Sequence, residues 1–243
     1  MKKLLFVALL VSSLLQDVSS LAQLSMKVKV QPLYKMDPEK QLRKRGFTTI
    51  LGSDESGNGC IAGPVVVATC GMLQDNVEPI EGVNDSKLVS AEECKRIYDI
   101  IASETDVYAW NTVLATQEEI DEDDVPKATK EAMRKSIENL VTKHELPVDT
   151  TYSIVDGHKT PKLTIALKCR PWVKGDAQVY TIALASIIAR HTHNELVKEM
   201  HALYPDYGFD QNRCYSTREH IIAIHNHGPS PIHRMSVKIL QGR

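Results

Sequence analysis

The sequence predicts an α/β domain, a mixed sheet flanked by helices. Three observations lead there. Short apolar runs bounded by glycines or acids (FTTILGSD, AGPVVVATCGML, DVYAWNTVLA, TYSIVD) have the length and branched composition of strands. Longer segments with apolar residues three and four apart lie between and after them. Strands come first and helices dominate later. The 243 residues, 42% hydrophobic and 25% charged, suffice for one sizeable globular domain.

The elements follow in order. MKKLLFVALLVSSLLQDVSSLAQ (residues 1–23) pairs a basic start with an apolar core, Leu4 to Leu15, and small residues around Ser19 to Ala22. This is the layout of a signal peptide, too short to span a bilayer comfortably. Residues 24–45 read as a polar, basic linker. From Gly46, FTTILGSD and AGPVVVATCGML form a hairpin through a tight glycine turn. Ser90 and Glu93 open the helix SAEECKRIYDIIAS as a capping box. DVYAWNTVLA is the third strand, and EEIDEDD reads as a solvated acidic turn before the helix PKATKEAMRKSIENLVTKH. TYSIVD ends on Asp156, with LTIALK as its expected neighbour. DAQVYTIALASIIARHTHNELVKEM is the strongest helix, and STREHIIAIHNHG follows with a second capping box, Ser216 with Glu219.

Charge is unevenly spread. Residues 1–150 hold 17 Lys and Arg against 24 Asp and Glu, whereas residues 151–243 hold 12 against 7 and eight of the nine histidines. A cationic face for a polyanion and an uneven solvated surface both fit that distribution. Five scattered cysteines without a CxxC pair argue against a zinc site or a disulfide framework.

Three places put a carboxylate where a strand or turn ends: Asp54–Glu55, Asp156 in VDG and Asp176 in KGD. Singly, each suits a turn or a helix cap, and Asp176 is an N-cap candidate. Together, facing one cleft, they would need Mg²⁺ or Mn²⁺ to coexist, since these ions take oxygen ligands.

DESGNGCIAGPVVVA resembles the signature of the ribonuclease HII family. NDSKLVS, KATKEAMRKSIENL, VDG followed by KGD, ASIIAR and YGFDQNRCYSTREH…GPSPIHR resemble that family's further segments in order, from about Gly46 to Val237. The resemblance implies a ribonuclease H-like mixed sheet with a helical C-terminal part, so residues 46–243 become the catalytic domain. It implies an endonuclease that cuts the RNA strand of RNA–DNA hybrids and ribonucleotides embedded in duplex DNA. Two-metal-ion catalysis, with Asp54, Glu55, Asp156 and Asp176 as catalytic and metal-holding acids, would give 5′-phosphate and 3′-hydroxyl ends. Gly57, Asn58 and Gly59 map onto the loop that reads the 2′-hydroxyl; Asn58 stands where the family usually has arginine, which puts efficient cutting of single ribonucleotides in doubt. Tyr215 maps onto the junction-sensing tyrosine, with Cys214 and Ser216 replacing its usual glycine neighbours. Lys87, Lys174, Arg190 and Arg234 are candidate substrate contacts, as are Arg213, Arg218 and His233. A monomer is expected. The alternatives are a catalytically weak hybrid-binding protein and a DNA nuclease on the same fold. The signal-like start implies entry to the secretory route, as far as an organelle such as a plastid, or else the cytoplasm.

Overall fold

A computed structural model describes Tyr34 and residues 36–241. The signal-like segment, and the linker before Tyr34, lie outside the described residues. The elements are α1 (Asp37–Lys44), β1 (Thr49–Ser56), β2 (Val65–Met72), α2 (Ala91–Ser103), β3 (Tyr108–Ala115), α3 (Gln117–Asp123) and α4 (Val125–Lys143). They continue with β4 (Thr151–Asp156), β5 (Lys168–Trp172), α5 (Tyr180–Leu203), α6 (Phe209–Asn212) and α7 (Arg218–His227). The strands form one sheet in the order β3-β2-β1-β4-β5. β1 runs antiparallel to β2 and parallel to β4, so the sheet is mixed as expected.

Alternation along the strands builds two layers, because successive side chains point to opposite faces. Val66, Ala68, Cys70 and Met72 of β2 pack with α2 and α5. Val65 and Val67 face α4, with Ala132, Ile137 and Leu140. β2 is buried along its whole length, as its unbroken apolar run requires. Gly52 lets α5 lie directly on β1: a Cβ there would sit 2.2 Å from the backbone of Thr181. A third cluster, including Cys60, Ile61, Phe209, Cys214 and Ile224, joins α6 and α7 to the loop between β1 and β2.

Several expectations need correction. The β1–β2 connection is a long loop, Gly57–Pro64, rather than a tight turn. The neighbour of β4 is Lys168–Trp172, not LTIALK. The acidic run is helical: Thr116 and Glu119 form a complete capping box opening α3. Thr217, not Ser216, caps α7, accepting from His220 N–H at 3.3 Å. Residues 37–44 are not a linker but a helix that buries Leu42 and Glu39. Glu39 also supplies what Asp176 was expected to supply. Its carboxylate accepts from the Thr181 amide at 3.0 Å and hydroxyl at 3.2 Å, capping the start of α5 from afar. Ser90 caps α2, accepting from Glu93 N–H at 3.2 Å, but the expected box is incomplete, because the Glu93 carboxylate pairs with Arg96.

Candidate active site

The four acids come together because parallel strands end side by side. The last β1–β4 pair is Ser53 with Val155, so Asp54 and Asp156 fall level at the sheet's edge. β5 pairs Trp172 with Asp156, and the chain then turns back through Lys174 to Asp176. The Gly175 amide donates to Asp156 Oδ1 at 2.7 Å and locks that turn beside β4. Asp54, Glu55, Asp156 and Asp176 all line one cleft of about 360 Å³ with Gly57, Asn58, Gly59, Lys87, Arg190 and Tyr215.

Adjacent on β1, Asp54 and Glu55 face opposite ways. Asp54, 6% exposed, takes a hydrogen bond from Ser186 on α5. Glu55 accepts from Asn58 Nδ2 at 2.6 Å. Burial, then repulsion from Glu55, holds Asp54 well above the usual carboxylate range. Burial and the charge of Asp156 push Glu55 up to about 7. Burial raises Asp156 also, against the pull of the Gly175 amide. Lys87, on the turn Ser86–Leu88, donates to Asp176 Oδ2 at 3.2 Å. The Ser86 and Ser186 hydroxyls, 2.8 Å apart, fasten that turn to α5.

An all-oxygen set of crowded, partly desolvated carboxylates suits a hard divalent cation. In the arrangement seen, these acids turn toward Lys87, Asn58 and Gly175, and among the described residues no three His, Cys, Asp or Glu side chains converge on one coordination point. The donor chemistry and the placement fit a metal; binding it would draw those carboxylates away from their present partners.

The candidate substrate contacts divide. Arg190 lines the cleft, while its Nη1 is buried and finds no hydrogen-bond partner in the protein. Tyr215 also lines it, 47% exposed, with its ring 3.2 Å from where a Cβ on Gly59 would stand. Cys214 takes φ 64°, keeping the left-handed turn before Tyr215 without glycine. Gly57 has φ 95°, and a side chain there would strike His193 at 2.9 Å. Lys174 is exposed but is not part of the cleft lining; its backbone, at φ 55°, shapes the turn to Asp176.

Arg234 is not a phosphate contact. It is fully buried, donating to the carbonyls of Gly63 at 2.7 Å, Cys60 at 2.8 Å, Gly57 at 2.9 Å and Asn58 at 3.3 Å. His233, 1% exposed, is likewise interior, and Arg218 is absent from the cleft lining. Asn58 is already engaged, since its Oδ1 accepts from Thr129 on α4 at 3.0 Å while its amide holds Glu55. Where the family's arginine is expected, Asn58 instead braces the Glu55 carboxylate against α4. Sequence reading missed Ser186, Thr129 and Tyr34, whose hydroxyl donates to the Asp176 carbonyl. It also missed a neighbouring groove of about 400 Å³ that shares Glu55, Asn58 and Asp156 and runs on to Lys130, His158 and Lys159.

A mixed sheet with four acids gathered at its edge, beside a glycine loop and a solvent-facing tyrosine, defines a nuclease of the ribonuclease H-like class. The family model for ribonuclease HII matches residues 51–239. Ribonuclease HII from Chlamydia abortus is 38% identical over 198 residues, covering 82% of this chain and 88% of that protein. The fold is similar to that of ribonuclease H2 from Pyrococcus horikoshii OT3, with a TM-score of 0.60 at 22% identity over 79% of this chain and 95% of that one. It is also similar to Bst-RNase HIII in complex with Mn²⁺, with a TM-score of 0.65 at 17% identity over 84% and 72%. The chain belongs to the ribonuclease HII family.

Proposed function

We propose that this chain is an endonuclease that hydrolyses the RNA strand of RNA–DNA hybrids and ribonucleotides embedded in duplex DNA, leaving 5′-phosphate and 3′-hydroxyl ends. The observation that carries the reading is the meeting of Asp54, Glu55, Asp156 and Asp176 in one cleft with Arg190 and Tyr215. Mg²⁺ or Mn²⁺ held by those four acids would activate a water against the phosphate and stabilise the departing 3′ oxygen.

The remaining work falls to the chain. Arg190, in the cleft lining, supplies positive charge to the strand's phosphate. Telling RNA from DNA requires reading the 2′-hydroxyl at close range. Arg234 draws the carbonyls of Gly57 and Asn58 inward and so holds the glycine loop in place beside the cleft. The exposed ring of Tyr215 offers a flat surface for the sugar that follows the ribonucleotide. Lys87 pairs with Asp176 and orients that carboxylate, which would be one of the ion's holders.

The test is cleavage of three matched duplexes, a continuous hybrid, one with a single embedded ribonucleotide and one of DNA only, each with Mg²⁺ and with Mn²⁺. Cutting at ribonucleotides alone supports the proposal. Equal cutting of the DNA duplex points to a general nuclease, and binding without turnover in either metal points to a hybrid-binding protein. Residues 1–23 are proposed to direct entry to the secretory route, which fluorescent tagging with and without them tests.

A further inference from the structure

Behind Tyr215 lies a directional chain of hydrogen bonds through two interior histidines. Ser230 N–H donates to His233 Nδ1 at 2.9 Å, so that nitrogen is an acceptor and the ring's proton sits on Nε2. His233 Nε2 is 3.0 Å from His220 Nε2, which must then accept. The proton of His220 is therefore on Nδ1, 2.8 Å from the Tyr215 carbonyl, to which it donates. His233 Nδ1 also lies 2.8 Å from the Ser230 hydroxyl, which can donate to it, and His220 Nδ1 facing a carbonyl must carry a proton, so only this pair of neutral tautomers satisfies every partner. His220 is 0% exposed and His233 1%, with the Phe209 ring edge-on to His220.

The next residue holds the opposite lip. Arg234 grips the carbonyls of Gly57, Asn58, Cys60 and Gly63. A short antiparallel bridge pairs Ala62 with His233, with Arg234 N–H donating to the Ile61 carbonyl at 2.9 Å. Two adjacent side chains therefore fix the two surfaces that meet where Gly59 faces the Tyr215 ring.

We infer that His233 and Arg234 act together as the spacer of the substrate-reading gap, with His220 the positioning residue that carries the setting to Tyr215. The inference rests on the reading that Tyr215 and the glycine loop meet the ribonucleotide. The hydrogen bonds of His220 and His233 run to Tyr215, Ser230 and each other and reach none of the four acids, so loosening the histidine pair relaxes ribonucleotide reading while leaving bond cleavage competent.

The experiment compares His220→Asn with His220→Leu in the full-length protein. Asparagine's amide N–H stands where Nδ1–H stood and can still reach the Tyr215 carbonyl; leucine cannot. The expected result is a fall of about tenfold or more in kcat/KM on the single-ribonucleotide duplex for His220→Leu, most of it in KM. The continuous hybrid should change by less than about threefold, and His220→Asn should stay within about threefold of the parent on both. Equal behaviour of the two variants, or an equal loss on both duplexes, overturns the inference. Independently of any turnover, ¹⁵N NMR of the imidazoles should show His220 protonated on Nδ1 and His233 on Nε2. The reverse tautomers overturn the relay even if His220→Leu does not fold. If the parent cuts neither duplex while the tautomers are as stated, the functional reading fails and the relay stands.

Discussion

The side-chain amide of Asn58 donates to Glu55 at 2.6 Å while its carbonyl accepts from Thr129 at 3.0 Å, so one loop residue fastens an acid of the cleft to helix α4. Replacing Asn58 with Ala should free the Glu55 carboxylate to rotate. We expect kcat on a continuous hybrid to fall about tenfold, with more Mg²⁺ needed for half-maximal rate, since correct placement of a ligand is a large part of its value. Kinetics across a Mg²⁺ series will check this; an unchanged metal requirement would remove Asn58 from the brace.

Asp54→Asn should separate function from stability. Turnover should fall at least about a thousandfold, as expected for loss of one of the four acids proposed to hold the metal. Stability should hold or rise, because burial and the charge of Glu55 both disfavour the Asp54 carboxylate in the folded protein. Each pKa unit so relieved is worth about 1.4 kcal/mol. Thermal melts without added metal, run beside the activity assay, provide the measurement, and a large loss of stability would contradict the electrostatic account.

Arg234→Met should be costly. It leaves the carbonyls of Cys60 and Gly63 without their donor in the interior and takes one of two donors from Gly57, at about 1–3 kcal/mol for each unsatisfied group. Arg234→Lys should recover little, because an ammonium lacks the planar fork that reaches several carbonyls together. Urea unfolding should show losses of about 3 kcal/mol or more for both; a mild effect from the lysine variant would argue against the fork.

Acid should loosen the C-terminal cluster. Burial pulls His193 and His233 down to about 4. In the unfolded chain histidine titrates near 6.5, so between those values the unfolded state binds more protons. Stability must therefore fall as pH drops from about 6.5 toward 4. Urea midpoints measured at steps through that window will test it, and His193→Gln should flatten part of the slope.

Arg190→Gln should weaken hybrid binding and reduce the slope of log affinity against log salt by about 1, as loss of one phosphate contact requires. Fluorescence anisotropy over a salt series reads both. An unaltered slope would leave Arg190 without a role at phosphate.

The sequence showed much of the framework, and the reasons it fell short are physical. Alternating and periodic apolar runs marked β1 to β4 and the helices, because those patterns are what burial selects. The four acids were visible as residues, while their meeting depends on the parallel register of β1 and β4. LTIALK had the composition of a strand, yet Lys168–Trp172 took the edge position, where partial exposure tolerates charge and proline. Arg234 looked like a phosphate contact because charge predicts the surface; only the fold brings four inward carbonyls around it. Glu39 and Tyr34 looked like linker for the same reason, since each finds its partner, Thr181 or Asp176, on the far side of the sequence.

The attachment of Tyr34 and Glu39 sets a practical limit on trimming this enzyme. A shortened version begun at Gly46, where the recognisable domain opens, would expose the first turn of α5 and release the carbonyl side of the Asp176 turn. Expression designs and any maturation cut that spares catalysis therefore belong upstream of Tyr34, however dispensable that stretch looks on paper.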